Sequence, residues 1–227
     1  MNSTALCQPI AFPDRTHYGK NLPKNKIFEF ATPSRKVRSL FVKEVEQIIW
    51  KYNLTTESTN LQATASVKEI QILALELRTK ELTVEILRTI DLAIPSPIIF
   101  ELLYGTNIKY AACYKRPSEA DKKKWVISNY FFSDWMKKDS PAVDLPVALN
   151  LGGLYQSLLT SLCPLPLKQG ESIDSLVSRA DKLHAYQREA EKIERRISKE
   201  VQFNRKVELN SALNVIKTKI EELLTEH

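Results

Sequence analysis

The chain of 227 residues is 43% hydrophobic and 26% charged, which are the proportions of an ordinary globular protein, and its length allows one good-sized domain plus an appendage, or two small domains. No apolar run approaches the roughly 20 residues of a membrane-spanning helix, so the sequence excludes a span of that kind. The N-terminus lacks the charged and apolar regions of a secretory signal, and three dispersed cysteines argue against a disulfide framework. The sequence therefore predicts a protein of the reducing cytoplasm.

Residues 1–32 are predicted to form an extended basic arm, because they contain three prolines and show no sustained periodicity. Within the arm, Ile27–Phe30 either adds a short strand or packs as an anchor. The formal net charge of the chain is +6, and residues 1–38 carry seven lysines and arginines against only Asp14 and Glu29. Such a bias permits contact with nucleic acid or an acidic partner, but it is also common in proteins that bind neither.

A core domain is predicted over residues 33–163. It begins with a helix that has Thr32 as N-cap and Pro33 as first residue, and whose apolar stripe continues to an end near Asn53. A short strand over 60–64 then pairs antiparallel with the segment Ile70–Leu77. That segment is almost continuously apolar, which is typical of a strand covered on both faces.

The second half of the core has clear boundaries, since Pro95 ends a helix and Gly105 lies in the turn of a hairpin. The predicted elements are, in order, a helix over 82–94, strands over 98–104, 108–114 and 125–135, and a helix over 151–162. The predicted fold is therefore α/β of the α+β type, with a mixed or antiparallel sheet of about five strands flanked by helices.

A linker over 164–172 is predicted to separate the core from a helical region over 173–227. Two apolar stripes in this region step by three and four residues, one from Leu183 to Ile197 and one from Leu209 to Leu223. The register slips between the stripes, so they form either an antiparallel hairpin resembling a short coiled coil or a single bent helix. The hairpin is favoured because each short stripe needs a partner.

The sequence contains no common signature of a metal or cofactor site. The three histidines are isolated and the cysteines are unclustered, so a zinc motif is missing. Gly152–Gly153 precedes a helix without the Lys-Ser/Thr of a phosphate loop, and no dinucleotide or serine-hydrolase motif occurs. We therefore predict no cofactor and no bound metal.

One acidic set has part of the spacing of a restriction-type nuclease. Glu76 and Arg78 share a face of the central strand, and Glu69 lies on its opposite face. Such nucleases place a lysine two residues after a strand carboxylate and use a second acid to hold Mg²⁺. Here the cation is arginine, which cannot act as a base. The set is therefore either a Mg²⁺-dependent nuclease site or a salt bridge near the sheet edge.

Ten basic residues of the first 124 positions form a candidate nucleic-acid surface. Trp125 beside a lysine-rich loop suits stacking on single-stranded nucleic acid, although a charged solvent loop followed by a core tryptophan has the same sequence pattern. The candidate contacts are Lys24, Lys26, Arg35, Lys36, Arg38, Lys115, Arg116, Lys122, Lys123 and Lys124.

Six short motifs occur in the order typical of one protein family. They are Leu22–Lys26, Trp50–Leu54, Thr59–Leu61, Glu69–Gln71, Ile94–Ile98 and Gln202–Asn210. In these motifs the chain resembles, over essentially its full length, the bacterial domain of unknown function 4391 family. Members are encoded beside helicase-like ATPases and DNA methyltransferases in antiviral defence islands. The family has no assigned catalytic residues, so the resemblance implies an accessory subunit of a defence complex rather than a reaction.

We therefore expect a non-catalytic accessory subunit that binds a helicase-like ATPase or a DNA methyltransferase through its helical tail, with a basic core able to contact DNA or RNA. The candidate partner-binding residues are Ile193, Ile197, Phe203, Asn204, Arg205, Leu209 and Leu213. The alternative is a Mg²⁺-dependent nuclease subunit of the same type of system.

Overall fold

The computed structural model describes residues 6–118 and 125–225. The chain divides into two compact units, Met1–Cys163 and Pro164–His227, and the division falls at the start of the predicted linker. The strands are β1 (Ile10–Ala11), β2 (His17–Asn21), β3 (Val45–Leu54), β4 (Ile70–Leu77), β5 (Ile98–Tyr104), β6 (Asn107–Pro117), β7 (Trp125–Phe132), β8 (Met136–Lys137) and β9 (Val143–Asp144). The helices are α1 (Lys24–Ala31), α2 (Arg35–Glu44), α3 (Thr56–Thr59), α4 (Val84–Ala93), α5 (Leu151–Leu162), α6 (Ile173–Ile197) and α7 (Phe203–Thr225).

The first unit is built on an open, mostly antiparallel sheet, which confirms the predicted α+β class. Among the described residues the sheet has seven strands in the order β2-β3-β4-β5-β6-β7, with β8 paired to β6, and β1 and β9 form a separate parallel pair. Helices α1, α2 and α4 supply core residues to one face of the sheet. Helix α5 packs against β6 and β7.

Strand β4 coincides with the predicted central strand, and it is buried except for the half-buried Glu76. It lies between antiparallel β3 and parallel β5. Its odd-numbered leucines join the core cluster beneath α2 and α4, together with Phe41 and Phe100. The strand is therefore apolar along its length because β3 and β5 pair with its two edges and both of its faces are buried.

The prediction of an extended arm over residues 1–32 is wrong for the described residues 6–32. The alternative in which Ile27–Phe30 packs as an anchor is confirmed for Ile27 and Phe28. This segment contributes β1, the edge strand β2 and helix α1, and Ile27 of α1 is buried in the core. All five residues of β2 are exposed, so the strand has no alternation of apolar and polar residues that a sequence could display. Gly19 adopts a φ of +66°, which accommodates the irregular pairing of β2 with β3.

The predicted helix from Pro33 to Asn53 is wrong in its second half and at its start. Thr32 ends α1 in the left-handed region, and Ser34 is the N-cap of α2, accepting a hydrogen bond from the Val37 amide. Helix α2 ends at Glu44, and strand β3 begins at once. The buried Glu44 carboxylate accepts hydrogen bonds from the amide and the hydroxyl of Thr83, at 2.7 and 2.8 Å, and this ties the junction to the start of α4.

Residues 45–54 have apolar side chains at helical spacing, yet they form a strand because they pair with β4 along its whole length. β-Branched and aromatic residues such as Val45, Ile48 and Trp50 favour that outcome. The predicted strand over 60–64 is correspondingly absent from the described residues: β3 is the antiparallel neighbour of β4, and Gln62 makes only an isolated bridge to Asn150. Residues 56–59 form helix α3, held by a capping box between Thr55 and Ser58.

The later elements of the core agree with the prediction. Helix α4, strands β5 and β7 and helix α5 form where expected, and β5 and β6 make the predicted hairpin. Strand β6 is longer than predicted, since it continues to Pro117. Lys115 and Arg116 therefore belong to a strand rather than to a loop.

The second unit contains an antiparallel helical hairpin, which decides against the single bent helix. Helices α6 and α7 bury Ala190, Ile193, Leu213 and Ile216 between them, and Tyr186, Ile197, Leu209 and Ile220 pack around this cluster. Lys217 and Glu194 add an exposed ion pair of 3.2 Å across the two helices. None of the helices in the described ranges combines the length and the hydrophobicity of a membrane span.

Lys115 forms a fully buried ion pair with Asp91 of α4. Its ammonium group donates to the backbone oxygens of Asp91, Ile94 and Ser96 at the end of α4, and the Asp91 carboxylate also accepts from Tyr130 and Cys113. Burial raises the pKa of Asp91 and lowers the pKa of Lys115, and the attraction between the two groups opposes both shifts.

We predict that Lys115→Met destabilises the first unit by about 3–5 kcal/mol, because the change leaves a buried carboxylate and several carbonyl groups without their donor. The measurement is urea unfolding followed by tryptophan fluorescence, which reports on the first unit since Trp50, Trp125 and Trp135 all lie in it. Lys138→Met, at an exposed position, is the control and should stay within about 0.5 kcal/mol of the parent. Equal effects of the two substitutions would contradict a structural role for the buried pair.

Candidate functional site

The acidic residues of the nuclease hypothesis do not form one site. Glu69 precedes β4 and Glu76 lies near its other end. Seven residues of strand, at about 3.3 Å each, separate them by about 23 Å, and they lie on opposite faces. Arg78 approaches Glu46 at 4.0 Å instead. In the described part of the chain, no group of three or more His, Cys, Asp or Glu could hold a metal ion.

Glu69 instead joins three segments of the core. Its carboxylate accepts hydrogen bonds from Ser96 Oγ at 2.7 Å, Gln71 Nε2 at 2.8 Å and Asn53 Nδ2 at 3.2 Å. These donors belong to the loop after α4, to β4 and to the end of β3. Burial alone would raise the pKa of Glu69, but the three hydrogen bonds together hold it below its ordinary value.

Two of the predicted nucleic-acid contacts are used inside the fold. Lys115 is buried as described, and Trp125 lies over its ammonium group, at 5.5 Å from the ring centroid. Lys24 donates to the carbonyl oxygens of Phe41 and Val45 at the C-terminus of α2, at 3.1 and 2.5 Å. A lysine satisfies such carbonyl groups and the negative end of the helix dipole. The prediction that Lys115 contacts nucleic acid is therefore wrong.

The remaining predicted contacts separate into three groups. Lys26, Arg35, Lys36 and Arg38 are exposed on α1 and α2, and we call them the basic α1–α2 surface. Within it, Lys26 is 3.2 Å from Glu29, and Arg38 lies over the Phe28 ring and donates to the Pro33 carbonyl. Arg116 is half-buried in β6. Lys122, Lys123 and Lys124 lie outside the described residues.

A cleft of about 320 Å³ opens where β2 leads into α1. Its lining residues are Asn21, Leu22, Pro23, Lys24, Asn25, Glu46, Gln47 and Ile48. The Leu22 amide donates to the Ile48 carbonyl at 2.8 Å, which brings the Leu22–Lys26 motif against β3. Sequence reasoning singled out that motif but missed Asn21, Glu46 and Gln47, because their proximity depends on the pairing of β2 with β3.

The predicted partner-binding residues of the tail fall into a buried group and an exposed group. Ile193 and Leu213 are buried between α6 and α7, and Ile197 and Leu209 pack beside them, so these four form the core of the hairpin rather than a docking surface. Phe203, Asn204 and Arg205 are exposed at the start of α7.

The turn between the two tail helices is ordered by one carboxylate. Glu200 accepts hydrogen bonds from the amides of Val201 and Gln202, at 2.9 and 3.0 Å, and these bonds, led by that of Gln202, lower the pKa of Glu200. The adjoining side chains are apolar and extend into solvent: Val201 is 90% exposed and Phe203 is 77% exposed. We call Val201 and Phe203 the hairpin tip.

We predict that Glu69→Gln lowers the free energy of unfolding by about 1–3 kcal/mol at neutral pH, since an amide cannot accept from three donors without turning its own NH₂ group toward one of them. The depressed pKa of Glu69 means that the ionised form stabilises the fold above the ordinary glutamate pKa, and that this contribution is lost as the pH falls through the lowered value. The difference between parent and variant should therefore shrink below about pH 4.

Tryptophan-monitored urea unfolding at neutral and acid pH measures this difference. Glu81→Gln, at an exposed position, is the matched control. A Glu69→Gln deficit that is independent of pH would contradict a role for the carboxylate charge.

Comparison with known proteins finds one family match that covers most of the chain. Residues 10–220 match a domain of unknown function, DUF4391. No curated protein and no solved structure matches the chain significantly. The matched range contains all six motifs, from Leu22–Lys26 to Gln202–Asn210, and includes parts of both units. The chain therefore belongs to the DUF4391 family.

Proposed function

We propose that the protein is a non-catalytic accessory subunit of a bacterial antiphage defence complex and acts in the cytoplasm. Its helical tail docks on a helicase-like ATPase or a DNA methyltransferase of that system, and its core contacts nucleic acid. The defence context rests on the family resemblance. The observation that carries the docking role is the exposed, apolar hairpin tip.

The hairpin tip has no evident role in the stability of the tail. The buried cluster around Ile193 and Leu213 already joins α6 to α7, and Phe203 lies outside it. A large aromatic side chain that is mostly exposed is a typical anchor residue of a protein interface. The Glu200 hydrogen bonds hold the turn in place, so binding a pocket would cost little conformational entropy.

The charge distribution supports a nucleic-acid contact by the first unit. Residues 171–227 contain equal numbers of acidic and basic residues, so the excess of +6 belongs to residues 1–170. The basic α1–α2 surface is one exposed part of that excess near the N-terminus. Phosphate contacts need only cations on an accessible surface.

The nuclease alternative gains no support from the geometry. It requires two carboxylates close enough to share one Mg²⁺ ion, whereas Glu69 and Glu76 lie near opposite ends of β4. Glu69 is also engaged by three internal donors.

We predict that Phe203→Ala weakens partner binding about 30-fold, the loss typical of an interface anchor. The measurement is quantitative copurification of the tagged full chain with the products of its neighbouring helicase and methyltransferase genes. Val215→Ala is the control, because Val215 is 53% exposed on the same helix but about 18 Å from the tip. Retention of the complex by Phe203→Ala, or an equal loss in Val215→Ala, would refute docking through the tip.

We predict that Arg35→Glu combined with Lys36→Glu weakens binding to an oligonucleotide and lowers the salt dependence of the affinity. For each phosphate that the variant no longer neutralises, the slope of log K against log salt should fall by about 0.7–0.9. Fluorescence anisotropy over a salt series provides the measurement. Lys68→Glu with Lys138→Glu makes the same charge change at exposed sites elsewhere, and an equal effect of this pair would show that total charge matters rather than the basic α1–α2 surface.

A further inference from the structure

The cleft between β2 and α1 combines three kinds of lining group. Leu22 and Pro23 supply apolar surface, Asn21, Asn25 and Gln47 supply side-chain amides, and Lys24 and Glu46 supply one charge of each sign. The Ile48 side chain is buried in the core beneath the cleft. Its volume of about 320 Å³ is within the lower range of small-ligand sites. An apolar surface beside several amides suits a flat heterocycle with donors and acceptors on its edge.

The three amides are available to a ligand. Nothing in the described residues forms a hydrogen bond with the side chains of Asn21, Asn25 or Gln47. Each amide offers two donor hydrogens and one acceptor oxygen. Together the three amides can form hydrogen bonds with the edge of a heterocycle that carries both donors and acceptors.

The cation of the cleft is held in position by the fold. The Lys24 ammonium group has three hydrogens, and the carbonyl oxygens of Phe41 and Val45 account for two of them. One hydrogen remains for an anion. Arg78 is a second cation nearby, since its guanidinium group is 4.0 Å from the carboxylate of Glu46, which lines the cleft. Burial and, after it, repulsion from Arg78 lower the pKa of Lys24. Two cations against one carboxylate make this end of the cleft suitable for a phosphate group.

The strand that leads to the cleft has an aromatic surface. Tyr18 of β2 is 38% exposed, and its ring centroid lies 4.3 Å from that of Trp50. Lys20 lies over the Tyr18 ring, at 4.5 Å from the centroid. Aromatic side chains interleaved with cations are typical of surfaces that follow single-stranded nucleic acid.

The geometry points to the cleft as a binding site for one nucleotide, with the base against Leu22 and Pro23, its edge on the amides, and its phosphate on Lys24 and Arg78. Glu46 is an acceptor, so it favours a base with an exocyclic amino group, as in cytosine. The inference deepens the proposed contact with nucleic acid and rests on it for the source of the nucleotide. Either a free nucleotide or one residue of a single strand supplies this chemistry, and the Tyr18–Trp50 pair would bind the neighbouring residue of a strand.

The inference is tested by measuring how the purified full chain binds three probes: cytidine 5′-monophosphate, uridine 5′-monophosphate and an oligocytidylate of about ten nucleotides. The length of the oligocytidylate is within the usual range of single-strand sites. We expect the cytidine nucleotide to bind more tightly than the uridine nucleotide. The double substitution of Asn25→Ala with Gln47→Ala should weaken binding of the cytidine nucleotide by at least about tenfold. Removing these two amides breaks no internal hydrogen bond in the described chain, and Gln187→Ala with Asn214→Ala is the matched control at exposed positions of the tail.

The possible results are separable. An oligocytidylate bound at least about tenfold more tightly than the mononucleotide identifies a single strand as the source, and equal affinities identify a free nucleotide; both support the site. Unchanged binding of all probes by the cleft variant overturns the site while leaving the nucleic-acid contact intact, provided that the Arg35 and Lys36 substitutions still weaken oligonucleotide binding. Failure of the parent chain to bind any probe overturns the site and the nucleic-acid contact together, without bearing on docking through Phe203.

Discussion

The buried ammonium group of Lys115 imposes the strongest single requirement on this fold. Without water it is stable only among oxygen acceptors, and Asp91, Ile94 and Ser96 provide them at the end of α4. Ser96 in turn donates its hydroxyl to Glu69, which also binds Asn53. A continuous polar path therefore joins β6, the loop after α4, β4 and β3. It fixes the position of α4 relative to the sheet more specifically than apolar packing alone could.

Net charge alone does not predict which lysines are available to bind nucleic acid, because two of them cap the ends of helices. Lys24 serves the C-terminus of α2 and Lys115 that of α4, where carbonyl groups lack partners from their own helix. The Lys24 side chain differs from Lys115 because it borders an open cleft. The same interaction that closes a helix can thus hold a cation ready for a ligand, and this connects the stability of α2 with the proposed site.

The two proposed surfaces belong to separate units of the chain. The hairpin tip depends on the Glu200 turn and on packing between α6 and α7, whereas the cleft depends on the pairing of β2 with β3. Substitutions in independent elements have nearly additive effects. A protein with the two proposed surfaces would be able to change its partner through the tail without altering the proposed nucleotide site of the core.

The elements with local signals are predictable from the amino-acid sequence alone. The apolar run of β4, the prolines after α4 and the heptad stripes of the tail identify their structures because burial on both faces, a missing amide hydrogen and helical periodicity each leave a pattern in consecutive residues. The other elements depend on contacts between segments that are distant in the chain. Residues 45–54 became a strand through pairing with β4, the exposed β2 through pairing with β3, and Lys24 and Lys115 became internal caps through carbonyl groups far along the chain. Hydrogen bonds between distant segments select those outcomes, and such bonds leave no periodic trace in the sequence.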